Sequence, residues 1–358
     1  MLQRGLEHLR AGEFENAAAC FVKAHRLNPD RPEVCYALGR EFLRRGEVAR
    51  AEPLLRAAWD KDRTLVSAGG TLARCLGLYQ RRFDQAHVVL DQAGVEHGLL
   101  PVLEVIRSEL YVEQEQYDRA KHHAETALTE LARESSVGDG RSDRIDATWA
   151  AANSVLARVC NHEGISLTES GAREQALFLF KRAADLDPHW SGPHINMGAV
   201  FAQLGKSDSA LRAYERGVAI EPNSGVAHFN YGLLLRTIGE LDRARVALSR
   251  AVDCDPEAAE VIPALAIAHL EADNPDQAID LLAWAIEAEP DDPELWVQLG
   301  IAFATAGELD EAESSWRHSL ELDPDNIEAA MHLGDLLARR SRACEDPSAP
   351  GDPPIDHE

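Results

Sequence analysis

The sequence predicts an all-α fold, a right-handed α-solenoid of helix–turn–helix repeats, because three sets of residues share one spacing. Glycines recur at intervals of 34 residues or a multiple of 34, at Gly164, Gly198, Gly232, Gly300 and Gly334. Prolines keep the same interval from Pro188 to Pro324, and alanines keep it from Ala176 to Ala312. A period of this length is typical of stacked helical pairs that bury one shared core.

Each set of positions has a physical role in a pair made of a first helix (helix A) and a second helix (helix B). The glycine of helix A and the alanine of helix B let the two backbones approach closely. The proline ends helix B, because it lacks an amide hydrogen and clashes with the preceding turn. A second glycine, as at Gly205 and Gly239, permits the left-handed conformation that ends helix A.

These residues resemble the tetratricopeptide repeat, whose pattern begins W-x-x-L-G and continues with Y, A, F, A and P. The fifth repeat shows it at His194, Met197, Gly198, Phe201, Gly205, Ala210, Tyr214 and Pro222. The eighth repeat shows it at Trp296, Leu299, Gly300, Phe303, Gly307, Ala312, Trp316 and Pro324. The resemblance extends, more weakly, to the N-terminus, with Arg74 and Ser108 at two expected glycine positions. It implies about eight to nine repeats followed by a capping helix.

The domain organisation follows from interruptions of the period. We predict an N-terminal repeat block over residues 1–133 and a C-terminal block over 145–340, which ends in a solvating helix. Between them, residues 134–144 are polar and glycine-containing, and so predict a flexible loop. The alternative is a loop inserted into one continuous superhelix. Residues 341–358 are rich in proline and acidic, which predicts a disordered tail.

The net charge of −25 limits the kinds of partner that the protein is expected to bind. Nucleic acids and anionic membrane surfaces attract clustered Lys and Arg, so neither is expected as a partner. Residues 135–358 contain 40 acids and 17 bases, and no Lys or Arg occurs from Ala251 to Trp316. This distribution favours either a basic protein partner or a surface that is simply well solvated.

Motifs of catalysis, cofactor binding and metal binding are absent from the sequence. No P-loop, dinucleotide, zinc-protease or nucleophile-elbow pattern occurs, and the six cysteines form no C-x-x-C pair. We therefore predict a protein that is not an enzyme and binds no cofactor. With Met1 as the native start, the charged first residues and the absence of a long apolar run predict a cytoplasmic location.

The resemblance implies that the A helices line a concave surface that binds a partner. In the C-terminal repeats the matching positions are mostly apolar, which favours an extended peptide or an amphipathic helix as ligand. The amides of Asn196 and Asn230 would hydrogen-bond the backbone of that ligand. The alternative is that these residues belong to the core. The predicted groove consists of Ile195, Asn196, Ala199, Val226, Phe229, Asn230, Leu233, Arg236, Ile267, Val297, Gln298 and Ile301.

A second candidate patch lies in the N-terminal repeats, where Tyr36, Arg40 and Arg44 share one face. These side chains could bind an acidic segment, or they could be a solvated surface.

The predicted function is a non-enzymatic scaffold or adaptor that holds a protein or peptide partner, basic or amphipathic, in the C-terminal groove. One alternative is a chaperone dedicated to a secreted or assembling client. Another is a structural scaffold that assembles with its own copies, which would make the protein a homo-oligomer.

Overall fold

The computed structural model describes residues 1–98, 100–137, 143–255 and 260–345. Throughout these ranges every regular element is a helix, as the sequence predicts. The chain divides into two compact units, an N-terminal unit of Met1–Pro188 and a C-terminal unit of His189–Glu358. None of the described helices is long and apolar enough to cross a membrane.

The N-terminal unit contains ten α-helices in the described ranges: α1 (Leu2–Arg10), α2 (Phe14–Leu27), α3 (Pro32–Arg44), α4 (Val48–Lys61), α5 (Val66–Arg74), α6 (Phe83–His97), α7 (Pro101–Glu113), α8 (Tyr117–Val137), α9 (Asp143–Glu169) and α10 (Arg173–Leu186). The described part of the C-terminal unit contains nine: α11 (Gly192–Gln203), α12 (Ser207–Ile220), α13 (Gly225–Thr237), α14 (Leu241–Cys254), α15 (Val261–Glu271), α16 (Pro275–Ala288), α17 (Pro293–Ala306), α18 (Leu309–Leu322) and α19 (Ile327–Glu345).

Consecutive helices pack as antiparallel pairs within each unit. Odd-numbered helices are A helices and even-numbered helices are B helices, and each A helix packs most extensively against its own B helix. Within each unit, a B helix also contacts the A helix that follows it, as α12 contacts α13 and α18 contacts α19. This nearest-neighbour packing confirms the predicted solenoid of helical pairs.

The glycines recur at a regular spacing because helix A packs tightly at these positions on a large side chain of helix B. A Cβ atom on Gly198 would lie 2.6 Å from the ring of Tyr214, and one on Gly164 would lie 2.6 Å from the ring of Phe180. Such distances are well inside van der Waals contact, so only glycine fits at these positions. The ring of Tyr214 is consequently 3% exposed.

The repeat period slips by one residue in the third repeat, where α5 continues into a π-helical turn, Cys75–Tyr79. A π-helical turn accommodates one extra residue. The sequence interpretation placed Arg74 at the glycine position, and this is wrong. Ala73 is fully buried among the core residues, whereas Arg74 is partly exposed and donates two hydrogen bonds of 2.8 Å to Glu109.

The described residues cover parts of the predicted loop and tail. Helix α8 extends to Val137 and α9 begins at Asp143, so both helices enter the segment 134–144. Residues 138–142 lie outside the described residues. Helix α19 extends to Glu345, and the remainder of the predicted tail, 346–358, also lies outside them.

Candidate partner-binding groove

The A helices of the C-terminal unit form one continuous surface. Helix α11 contacts α13, α13 contacts α15, and α15 contacts α17. We call the row of side chains across these four helices the groove. Most of its members are neither buried nor freely exposed, and this holds for Ile195, Asn196, Ala199, Phe229, Asn230, Leu233, Arg236, Ile267, Gln298 and Ile301.

Helix α13 contributes the largest apolar side chains of the groove. Phe229 and Leu233 pack against a buried cluster that includes Leu248 and Leu265, and the remaining part of each side chain faces solvent. Val226, one turn before Phe229, is 64% exposed. These three side chains form an apolar surface on a rigid helix, which is the arrangement that binding surfaces use.

Val297 is a correction to the predicted groove. Its side chain is fully buried, in the cluster formed by Trp316, Ala329 and Leu336. The reason is that α18 and α19 both close over α17 at this point. A partner cannot reach Val297, and the other apolar member of the predicted groove on α17 is Ile301, which packs partly against the same cluster.

The polar members of the groove already have partners. The side-chain amide of Asn230 donates a hydrogen bond of 2.9 Å to the carbonyl oxygen of Val226, within its own helix. Asn196 is also engaged in an interaction. At one edge, the guanidinium of Arg236 lies 3.7 Å from the carboxylate of Glu271, which joins α13 to α15. A partner would therefore bind mainly through the apolar side chains of the groove, because these polar side chains are already engaged.

Negative charge surrounds the distal half of this unit. No Lys or Arg is present from Ala251 to Trp316, a stretch that contains α15, α16 and α17. Burial raises the pKa of Glu294, and the nearby negative charge of Glu328 raises it further. Apart from Glu271, which pairs with Arg236, the carboxylates of α15–α17 lie in a stretch that contains no Lys or Arg, which favours positively charged ligands.

The second candidate patch is partly occupied by its own neighbours. Arg44 forms an ion pair with Glu41 at 2.7 Å and stacks on the ring of Phe14 at 4.2 Å. The guanidinium of Arg40 lies 5.7 Å from the centre of the Tyr36 ring. Hydrogen bonds from Arg44 lower the pKa of the buried Glu41 carboxyl. The patch thus contains one arginine engaged by a carboxylate and one, Arg40, that is exposed beside an aromatic ring.

Two features could not have been identified from the sequence. Glu104 of α7 and His123 of α8 lie 2.6 Å apart, and Tyr111 stacks on His123 at 5.3 Å. These residues are distant in the sequence, and no spacing pattern marks them. The apolar outer face of α19 is the second feature.

Among the described residues, no group of three or more His, Cys, Asp or Glu side chains is placed to hold a metal ion.

Stacked helical pairs with small residues at the helix crossings define an α-solenoid protein of the protein-interaction class. Residues 119–348 match the family model of the cilia and flagella-associated protein 70 C-terminal domain, a tetratricopeptide-repeat model. Residues 2–64 match a general tetratricopeptide-repeat model. The chain therefore belongs to the tetratricopeptide-repeat family described by the first model, which spans more than half of it.

The chain is also similar to solved structures at low sequence identity. MamA is 20% identical, with 48% of this chain and 94% of that chain covered and a TM-score of 0.44. YrrB, described as a TPR protein with an unusual peptide-binding site, is 18% identical, with 49% and 91% covered and a TM-score of 0.45. MamA from Desulfovibrio magneticus RS-1 is 20% identical, with 48% and 97% covered and a TM-score of 0.44. No curated protein matches the chain.

Proposed function

We propose that this protein is an adaptor whose C-terminal unit binds a basic, amphipathic segment of another protein along the groove. The observation that carries the proposal is the row of half-exposed apolar side chains on four consecutive A helices. An isolated apolar side chain on a surface is common, but a continuous row across neighbouring helices marks a binding surface.

The binding energy would come from the apolar side chains of α13. Burial of apolar surface contributes about 25 cal/mol for each Å² removed from water. Phe229 and Leu233 are already held by the core, so they lose little conformational freedom when a ligand covers them. The carboxylates of α15–α17 other than Glu271 would select a ligand with Lys or Arg beside its apolar residues and would speed its association.

A matched pair of valines tests the groove without disturbing the core. Val226 is 64% exposed on helix α13, and Val246 is 65% exposed on the B helix α14. We expect Val226→Asp to remove groove-bound partners, because the carboxylate replaces an apolar contact and loses its water when the apolar side of the ligand covers it. Val246→Asp changes the net charge equally, but it lies outside the groove. Affinity purification from the source cells, followed by quantitative mass spectrometry, would compare both variants with the unaltered protein.

The proposal requires at least one partner that is retained by Val246→Asp and lost with Val226→Asp. For that partner, Phe229→Ala should weaken binding in a direct titration by about 2 kcal/mol, which is typical of an interface hot spot. Circular dichroism would establish that each variant keeps its helical content. Partners retained equally by both valine variants would contradict the groove as the binding surface.

A further inference from the structure

Helix α19 exposes a continuous apolar stripe along its outer side. The stripe follows the spacing of one helix face over four turns, and each of its members is exposed, namely Ile327, Ala330, Met331, Gly334, Leu337, Ala338 and Ser341. Met331 is 65% exposed and Ile327 is 75% exposed. A solvating cap would present polar residues here, so this face is unlike the cap that the sequence predicts.

In other repeats of the C-terminal unit, the glycine position of helix A is covered by a large side chain of the B helix, as Gly232 is by Leu248. Met331 and Leu337 lie one turn before and one turn after this position on α19, at Gly334, and both side chains are exposed. At Gly300 a Cβ atom would clash with Trp316 of the B helix, whereas a Cβ atom on Gly334 would meet nothing within 4 Å. Helix α19 is thus an A helix whose B-helix side is uncovered by any described residue.

When the α19 helices of two copies are placed antiparallel, side chains of similar size face each other along the stripe. With Gly334 at the crossing point, Met331 of one helix faces Leu337 of the other, and Ala330 faces Ala338. Large residues therefore meet large ones and small residues meet small ones. Glycine at the crossing lets two helix backbones approach closely, as small residues do at other close helix crossings.

The charges at the two ends of α19 are complementary in this arrangement, whereas Asp335, next to the crossing, lies near its own copy and opposes the contact. Glu328 and Asp325 lie at its N-terminal end, beside Glu294. Arg339 and Arg342 lie at its C-terminal end, and neither forms an ion pair with a described residue. An antiparallel copy would bring the acidic end of each helix to the basic end of the other, and a parallel copy would place like charges together.

We propose that two copies of this chain associate through α19, which packs antiparallel against its counterpart with Gly334 at the crossing. The contact is small beside standard interfaces, which bury about 1,600 Å², so we expect a dissociation constant on the order of 10 μM.

Sedimentation velocity of the full chain over a concentration series tests the association. We expect the sedimentation coefficient to rise from the monomer to the dimer value as the concentration increases. Met331→Glu and Leu337→Glu should each hold the protein in the monomeric state at every concentration. The control is Val246→Glu, which adds the same charge to an exposed valine of α14 and should leave the dimer unchanged.

A charge exchange tests the antiparallel geometry. Glu328→Arg alone and Arg342→Glu alone should each weaken the dimer about tenfold, because each places like charges together at both ends of the contact. The double variant restores opposite charges at both ends and should recover the original dissociation constant. Weakening in both single variants without recovery in the double variant would contradict the antiparallel arrangement.

Gly334 provides a test that separates folding from association. Gly334→Gln should raise the melting temperature of the monomer, because glutamine favours the helix and its Cβ meets no neighbour. The same change should weaken the dimer, since the side chain stands between the two helices. A wild-type protein that stays monomeric, or a dimer that survives Met331→Glu and Leu337→Glu, would overturn the proposal.

Discussion

At the scale of single residues, the carboxylate of Glu41 is buried and pairs with two arginines of its own repeat. Its side chain is 3% exposed and accepts hydrogen bonds from Arg44 at 2.7 and 3.0 Å and from Arg45 at 2.9 Å. Charge-assisted hydrogen bonds of this kind are stronger than neutral ones. They favour the ionised form, and they lower the pKa of this carboxyl.

Glu41→Gln should lower the free energy of unfolding by about 2 kcal/mol at pH 7, because the amide replaces a charged acceptor. Since the folded-state pKa is lowered, the stabilisation is present above the ordinary glutamate pKa and is lost as the pH falls through the folded-state value. The two proteins should therefore become equally stable in acid. Urea denaturation at pH 7 and at about pH 3 would measure this difference.

Glu33 supplies the control for this substitution on the same helix. It pairs with Arg31 at 3.1 Å, and both side chains are about half exposed. Exposed ion pairs contribute little, so Glu33→Gln should change stability by less than about 0.5 kcal/mol. An equal loss in both variants would contradict a special role for the buried carboxylate.

The sequence was least successful at predicting which residues are buried. Val226 and Val297 were assigned to the same surface by their positions in the repeat, yet one is 64% exposed and the other is fully buried. The difference depends on Trp316 and on α19, which close over α17 from elsewhere in the chain. A repeat position fixes the side of the helix on which a residue lies, but the neighbouring helices decide whether water reaches it.

At the scale of the elements, the turn between helix A and helix B imposes a left-handed conformation. Glycine adopts it at Gly12, Gly46, Gly171, Gly205, Gly239 and Gly307. Arg81, Glu115 and Asp273 occupy equivalent turns, each with a φ of 58°. A left-handed backbone costs most residues about 1–2 kcal/mol, so these three turns are strained.

Glu115→Gly should raise the free energy of unfolding by about 1 kcal/mol, because the strain is larger than the added entropy of glycine in the unfolded chain. Gly171→Glu, the reverse change in the same unit, should lower it by a similar amount. No heavy atom lies within 4 Å of a Cβ on Gly171, so its effect would come from the backbone alone. Thermal denaturation of both variants would show opposite shifts if the turn conformation is responsible.

The elements themselves were largely predictable, because their signals are local. The period of 34 residues marked both helices of each repeat and the turn between them. It failed in the third repeat, where the π-helical turn Cys75–Tyr79 absorbs one residue. The interval from Gly46 to Arg81 is 35 residues instead of 34. The sequence contains this extra residue, but only the backbone structure shows which turn of the helix accommodates it.

At the scale of the whole molecule, charge is distributed unequally between the two units. The C-terminal unit contains 32 acids and 11 bases, and the N-terminal unit contains 29 acids and 25 bases. In the N-terminal unit many carboxylates are paired with arginine, as Glu109 is with Arg74 and Glu113 is with Arg158. Repulsion between carboxylates therefore acts mainly within the C-terminal unit, and it opposes folding there.

Added salt should consequently stabilise the C-terminal unit more than the N-terminal unit. Raising NaCl from about 0.15 M to about 1 M shortens the screening length from about 8 Å to about 3 Å and weakens this repulsion. Hydrogen exchange measured by mass spectrometry reports each unit separately in the intact chain. We expect slower exchange at high salt for peptides of α15–α18 and little change for those of α3–α7. Salt also strengthens apolar burial, but it does so in both units, so a uniform slowing would indicate that effect and would contradict repulsion as the cause.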